Sequence, residues 1–311
     1  MAQKLIAKNV CVPADVPEGL VSEFQQNYLQ ITHNTNCLML FAADQKIEHL
    51  NYDFYGDNIH SHAQTPEHLF KIAQKGRIGA FATQLGLITR YGRIYSDLIY
   101  IAKLNSKTDL INTSISDPLS RQLWSVENVV DVKYNTELNI CGIGYTIYLG
   151  SMHEAQMLQD AAQAIFQAHQ HGLIAIIWIY ARGKAINNDS DGELIAGAAG
   201  VAAALGADFV KIKAPHATTT KTSAEFLKIA TAAAGNTKVI CSGGAAQTPE
   251  KFLHELYEQI HTGGCSGNAT GRNIFQRSEH HAIAMTEAIS AVVFDNKTAD
   301  EAIKIYQTKS G

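Results

Sequence analysis

Short apolar runs recur along the chain at 38–43, 79–85, 98–104, 141–148, 174–180, 208–213, 238–242 and 264–269. Most are continuous rather than alternating, as in strands covered on both faces. Helical patterns lie between them. Residues 153–171 and 193–205 read as helices, with Gly172 and Gly206 as their C-terminal stops. Thr65-Pro66-Glu67 and Thr248-Pro249-Glu250 each place a capping residue before a proline at the first helical position. Further helices are expected near 17–30, 279–294 and 298–307. Eight strands alternating with helices over roughly 250 residues is the arithmetic of a (β/α)8 TIM barrel. A doubly wound open sheet is the structural rival. The expected organisation is a single α/β domain, with 1–36 an N-terminal helical extension packed on the barrel and 37–311 the barrel with its C-terminal helices.

Composition narrows the class. The 311 residues are 46% hydrophobic, enough for a large core, and a chain of this length folds as one α/β barrel as readily as two domains. A net charge of −4 points to neither nucleic acid nor an anionic membrane. Cys11, Cys37, Cys141, Cys241 and Cys265 are odd in number and widely spaced, which suits free thiols in a reducing cytoplasm. The N-terminus lacks a signal-peptide core, and the weakly polar run Leu194–Ala207 is too short to span a bilayer.

The segment Ala-Asp-Phe-Val-Lys-Ile-Lys at 207–213 carries the strongest chemical hint. It reads as a buried strand, yet Lys211 and Lys213, two apart, share one face. Burial and a neighbouring positive charge both lower a lysine's pKa. A neutral amine so produced is the nucleophile that forms Schiff bases with carbonyls. A strand end whose lysines reach into water is an equally open reading of these seven residues. In a barrel, chemistry belongs at the C-terminal strand ends. Those ends collect Asp44 with Glu48 and His49, Lys103 with Asn105, Tyr145 with Thr146 and Tyr148, Trp178 with Tyr180 and Arg182, and the lysine pair. Ser242-Gly243-Gly244 and Gly271-Arg272 fall after strands seven and eight, where many barrels bind phosphate. Glycines admit close approach of backbone N–H groups to an anion, and Arg272 adds a charge-assisted partner.

The segments AADQKIEHLN (42–51), AKLNSKT (102–108), IGYTIYLGS (143–151), IIWIYARG (176–183), GADFVKIK (206–213), CSGGA (241–245) and TGRNIFQR (270–277) together resemble the archaeal-type class I fructose-bisphosphate aldolase family, relatives of the deoxyribose-phosphate aldolases. The resemblance implies a metal-independent, cofactor-free lyase of glycolysis or gluconeogenesis acting on a sugar phosphate. It assigns the Schiff base to Lys211, the active-site acid to Asp44 and the acid/base to Tyr180, with Trp178 nearby. Ser242, Gly243, Gly244, Gly271 and Arg272 match its phosphate contacts. Lys213, Arg182 and Lys103 complete the expected substrate-binding set, and Lys213 is expected to help depress the Lys211 pKa. Arg182, Lys184 and Lys46 are candidates for anchoring a second phosphate. A homo-oligomer, with a decamer as one expectation, is also implied.

Two departures stand out: Asp44-Gln45-Lys46 replaces the family's commoner Asp-His-Gly, and Tyr180-Ala181-Arg182-Gly183 replaces Tyr-Pro-Arg-Gly. Two rival functions stay open: another Schiff-base aldolase or acyl transferase on the same scaffold, and a non-catalytic sugar-phosphate-binding or structural barrel. A zinc-dependent aldolase is the chemical rival. The His60/His62, His169/His171 and His280/His281 pairs lie away from strand ends, and surface or helix-cap roles are expected for them.

Overall fold

A computed structural model describes residues 4–110 and 117–311. The eight barrel strands are β1 (Leu38–Ala42), β2 (Ala80–Gln84), β3 (Tyr100–Lys103), β4 (Ile140–Leu149), β5 (Ile174–Ala181), β6 (Phe209–Ile212), β7 (Lys238–Ser242) and β8 (Gly267–Thr270). Every neighbouring pair is parallel, and β1 closes the ring by pairing Leu38–Phe41 with Gly267–Thr270 of β8. That closure excludes the open sheet. The chain is a (β/α)8 barrel. It crosses the outside through helices Pro66–Lys75, Leu85–Tyr91, Val126–Thr136, Glu154–Gln170, Gly192–Ala204, Ser223–Ala234, Pro249–Tyr257 and Glu279–Asp295, with Ala299–Ser310 following.

The two expected proline starts differ in detail. Thr248 caps Pro249–Tyr257 by accepting from the Lys251 amide, whereas the Thr65 hydroxyl donates backwards to the His62 carbonyl. Gly172 and Gly206 stop their helices with φ of +65° and +93°, a region that favours glycine. β3 is shorter than its apolar run because the chain turns at Leu104; Asn105–Ser106 then forms a small antiparallel ladder with Arg121–Gln122.

Strand alternation sorts the side chains into two cores. Phe41, Phe81, Tyr100, Ile143, Ile177 and Val210 point outward under the helices. Leu40, Ala82, Ile101, Ile176, Phe209 and Ile240 point into the barrel. Helix α1 (Val21–Ile31) of the N-terminal extension closes the bottom of that inner core with Phe24, Tyr28 and Ile31. Tyr28 stacks on Phe209 at 5.5 Å between centroids.

His169 overturns one sequence expectation. It is fully buried rather than on the surface, because carboxylates reach both of its nitrogens. Nδ1 lies 2.9 Å from Asp15 of the extension, and Nε2 lies 3.2 Å from Asp208, the residue before β6. Asp208 also accepts the Ala175 amide at 2.8 Å. The extension is thereby tied to the foot of the lysine-bearing strand. Burial pushes the imidazole pKa down, but the hydrogen bonds and charges of Asp208 and Asp15 outweigh it and the pKa ends raised. Among the described residues no helix is long and apolar enough to cross a membrane. All five cysteines are free.

Candidate active site

A cleft of about 260 Å³ opens at the C-terminal ends of the strands. Asp44, Trp178, Tyr180, Arg182, Lys211, Lys213, Ser242, Gly243, Gly244, Gly271 and Arg272 all line it. They come from the ends of five different strands and meet only because the barrel closes. Of the expected catalytic and substrate-binding set, Lys103 is absent from the lining, as are the second-phosphate candidates Lys46 and Lys184.

Lys211 projects inward from β6 and is only 4% exposed. Its strand neighbours in register are Trp178 on β5 and Ile240 on β7. Its ammonium position lies 5.4 Å from the Trp178 ring centre. Burial holds its pKa below the ordinary lysine value; Asp44 and Glu48 work against that, and Arg272 adds to it. Lys213 is not the cation responsible. It shares the face, as expected, but lies past the end of β6 and pairs with Asp189 at 2.8 Å in partly exposed surroundings.

Lys103 also lies outside the cleft lining. In register it sits level with Gly144 of β4, one layer beneath Trp178, which covers it. Its ammonium donates to the carbonyl and the Oδ1 of Asn105, both at 2.7 Å. Asn105 in turn holds the Thr146 backbone on both sides, at 2.8 and 2.7 Å. Burial takes Lys103 down to about 8. Lys103 is therefore part of the floor that fixes β3 to β4 and does not line the cleft. Gly144 belongs to the same floor. A methyl there would come 2.3 Å from the Trp178 ring and 3.2 Å from Lys103 Cδ, so the indole rests directly on backbone.

Tyr180 is partly buried at the end of β5. Burial, reinforced by Asp44 and Glu48, raises its pKa far above the ordinary phenol value, so it stands as a proton donor. Asp44 follows β1, and its Oδ1 is buried without a hydrogen-bond partner among the described residues; so is the Trp178 indole N–H. A buried unpaired polar atom costs roughly 1–3 kcal/mol. Both atoms belong to residues that line the cleft.

The β7 and β8 loops are locked to each other. Gly243 donates its amide to Ala269 at 3.1 Å, and Gly244 turns with φ of +68°. Asn273, fully buried, donates to the Gly243 and Ala245 carbonyls at 2.8 and 2.9 Å and accepts the Gln247 amide. Its structural role was missed in the sequence; the only signal was its place beside Arg272. Arg272 Nε donates to the Gly244 carbonyl at 3.0 Å, and Nη1 lies 3.5 Å from buried Asp53.

Glu48, His49, Thr146 and Tyr148, named from the sequence only as polar strand-end residues without a role, also line the cleft, as do Asp53 and Asp189, which the sequence reading missed. Glu48 lies four residues after Asp44 and accepts from the Tyr148 hydroxyl at 2.5 Å. Among the proposed second-phosphate anchors, Arg182 lines the cleft and Lys184 does not. Lys46 is drawn off by the Ala63 and Gln64 carbonyls and by the face of Phe54, 4.0 Å away. The Gln45 side chain lies outside the described part of the structure. Among the described residues no group of three or more His, Cys, Asp or Glu is placed to hold a metal ion.

Comparison with known proteins decides the family. Residues 38–277 match the DeoC/LacD family aldolase profile. The chain belongs to the DeoC/LacD family of aldolases. The matched span begins at the first residue of β1 and holds all eight strands, so the whole lining of the cleft falls within this aldolase unit. A relative from Methanocaldococcus jannaschii is 53% identical over 98% of this chain and 97% of its own; it is named fructose-bisphosphate aldolase/6-deoxy-5-ketofructose 1-phosphate synthase. The solved fructose-bisphosphate aldolase of Slackia heliotrinireducens is 49% identical, with a TM-score of 0.96 over 99% of this chain and 96% of that one. An archaeal fructose-1,6-bisphosphate aldolase, solved with its catalytic lysine covalently bound to the carbinolamine intermediate, is 29% identical with a TM-score of 0.73. It covers 87% of this chain and 99% of that one.

Proposed function

We propose that this aldolase cleaves and forms fructose 1,6-bisphosphate through a Schiff base on Lys211. The observation that carries the reading is the placement of one inward lysine, 4% exposed and lowered in pKa by burial, at the base of a polar cleft. A neutral amine attacks the ketose C2 carbonyl and water leaves, giving a protonated iminium at C2, next to C3. The C3–C4 electron pair then flows into the iminium as the C4 hydroxyl proton departs, giving an enamine and an aldehyde. Protonation of the enamine and hydrolysis return the free amine.

Asp44 and Tyr180 supply the proton transfers. Burial holds the phenol protonated, and Asp44 Oδ1 has no hydrogen-bond partner among the described residues, so Asp44 is the initial acceptor and Tyr180 the initial donor. The loops at Ser242–Gly244 and Gly271–Arg272 would anchor one phosphate, and that remote binding energy positions the carbonyl over Lys211. Five free cysteines favour a reducing cytoplasm as the working place, in glycolysis or gluconeogenesis. The homo-oligomer expected from the family is checked by light scattering.

Borohydride reduction in the presence of fructose 1,6-bisphosphate, with peptide mapping, tests the chemistry. A substrate-sized adduct on Lys211 is expected. An adduct on Lys213 would keep the chemistry and reverse the assignment within the pair. No adduct with intact substrate binding would remove the aldolase reading.

A further inference from the structure

Arg272 opens the short helix Arg272–Phe275 directly after β8 and is the arginine of the loops proposed above to anchor a phosphate. An arginine side chain is long and free to swing unless something holds it. Two groups hold this one. Nε donates to the Gly244 carbonyl at 3.0 Å, and Nη1 lies 3.5 Å from Asp53 Oδ1. The Asp53 side chain is 8% exposed, against 33% for Arg272, so the carboxylate sits deeper than the guanidinium it faces. Its Oδ2 is buried without a hydrogen-bond partner among the described residues and lies 3.7 Å from His49 Nδ1. The loop that carries Asp53 is fastened to the Arg272 helix at three points. Gln276 Nε2 donates to the Asp53 carbonyl at 2.8 Å, Phe54 stacks on Phe275 at 4.6 Å between centroids, and His60 donates its amide to the Gln276 carbonyl at 2.9 Å. Carboxylate and arginine therefore keep their spacing as one unit.

A fixed carboxylate facing one nitrogen of a guanidinium sets its plane and leaves its other donors for an oxyanion. We infer that Asp53 is a positioning residue: it holds Arg272 through Nη1, so that the remaining donors meet the phosphate cradled by Ser242–Gly244 and Gly271. β7 is the neighbour of β6 in the ring, so the phosphate met there is the one on the carbon next to the carbonyl that Lys211 attacks. Asp53 touches no reacting atom and acts through Arg272. Repulsion of the phosphate by the carboxylate works the other way. Holding and repulsion predict opposite signs when the carboxylate is removed. The inference rests on the aldolase reading, since it supposes a sugar phosphate held between this cradle and Lys211.

Borohydride trapping at Lys211 with two small ketones tests it: glycerone phosphate, the ketone half of fructose 1,6-bisphosphate, and unphosphorylated glycerone. The readout is the ratio of their half-saturating concentrations, phosphate ester over free ketone, in which damage common to both cancels. Asp53→Ala is expected to raise the ratio about fivefold, the scale of a partly exposed ion pair. Asp53→Asn keeps the shape of the loop and an oxygen for Nη1, and is expected to raise it by less. Its direction decides the matter if the alanine variant folds poorly. In an Arg272→Gln background, Asp53→Ala should add less than about twofold, because the partner through which it acts is gone. A ratio lowered by removing the carboxylate would mean repulsion dominates, and an unmoved ratio would mean a purely structural part; either overturns the inference. So does a full rise that persists in the Arg272→Gln background. Failure of the unmodified protein to trap either ketone sinks the aldolase reading itself, whereas trapping with the wrong ratios sinks only the role of Asp53.

Discussion

Gly144→Ala is expected to damage catalysis from beneath the cleft without touching substrate. The new methyl would lie 2.3 and 2.6 Å from two carbons of the Trp178 ring and 3.2 Å from Lys103 Cδ. Ordinary carbon contacts are near 3.5–4 Å, so the indole must move by about 1 Å. The backbone at Gly144 needs no positive φ, so alanine adds no strain of its own. Beneath Trp178 the floor is held by the Lys103–Asn105–Thr146 hydrogen bonds, and Trp178 itself is 1% exposed. The ring is therefore driven toward Lys211, 5.4 Å from its centre. Overpacking of this kind costs about 1–3 kcal/mol, a fall of several degrees in Tm. Displacement of the nucleophile's neighbour by about 1 Å corresponds to a loss in kcat on the order of 100-fold. Steady-state kinetics and calorimetry read both effects. In a Trp178→Phe background, which lacks the clashing benzo carbons, Gly144→Ala should cost markedly less in both. A single variant with Tm within a degree and kcat within twofold of the unmodified protein would refute the reasoning.

Three further outcomes are expected. Lys211→Met should abolish turnover and borohydride trapping while raising Tm, since it replaces a buried amine with an apolar chain. The sign follows from the lowered pKa: protonation is penalised in the folded state, so the gain is largest at neutral pH and shrinks as pH rises toward about 10.4, the unfolded value. Tyr180→Phe should lower kcat about 100- to 10,000-fold yet retain trapping at Lys211, a split visible by mass spectrometry. His169→Asn should destabilise by roughly 2–4 kcal/mol, because it leaves buried Asp208 without its imidazolium. The folded histidine pKa is raised, so that stabilisation is full below about pH 6.5 and is lost as pH rises through the folded value; urea unfolding should show a larger deficit at pH 6 than at pH 9.

Local pattern carried the barrel because each β strand and each helix declares itself in its own residues. Gly172 and Gly206 stop helices for reasons internal to those turns. Contacts between distant segments had no such signal. His169 looked like a surface residue because its partners, Asp15 and Asp208, lie 154 and 39 residues away. Glu48 was visible beside Asp44, but nothing local says that it crosses the mouth to Tyr148, 100 residues on. Lys103 and Lys211 both read as lysines at inward strand ends. Only the register, which sets Lys103 one layer lower, separates a floor residue from a cleft residue.

That register also explains why one lysine among several is suited to be the nucleophile. Four lysines lie in or beside the cleft region, and burial takes Lys46 and Lys103 to about 8. A depressed pKa alone would make all three buried amines candidates. Lys46 and Lys103, however, each donate to two oxygen acceptors, which ties up the nitrogen and points it away from substrate. Lys213 reaches the cleft, but its nitrogen is held by Asp189 at 2.8 Å. Lys211 alone lines the cleft, is buried, and has neither a carboxylate within ion-pair distance nor a hydrogen-bond acceptor among the described residues. Reactivity here follows from what the site withholds from one amine. An Asp189→Asn variant bears on this directly: it frees Lys213 of its partner, and trapping should still fall on Lys211, because Lys213 lies past the end of β6 in partly exposed surroundings.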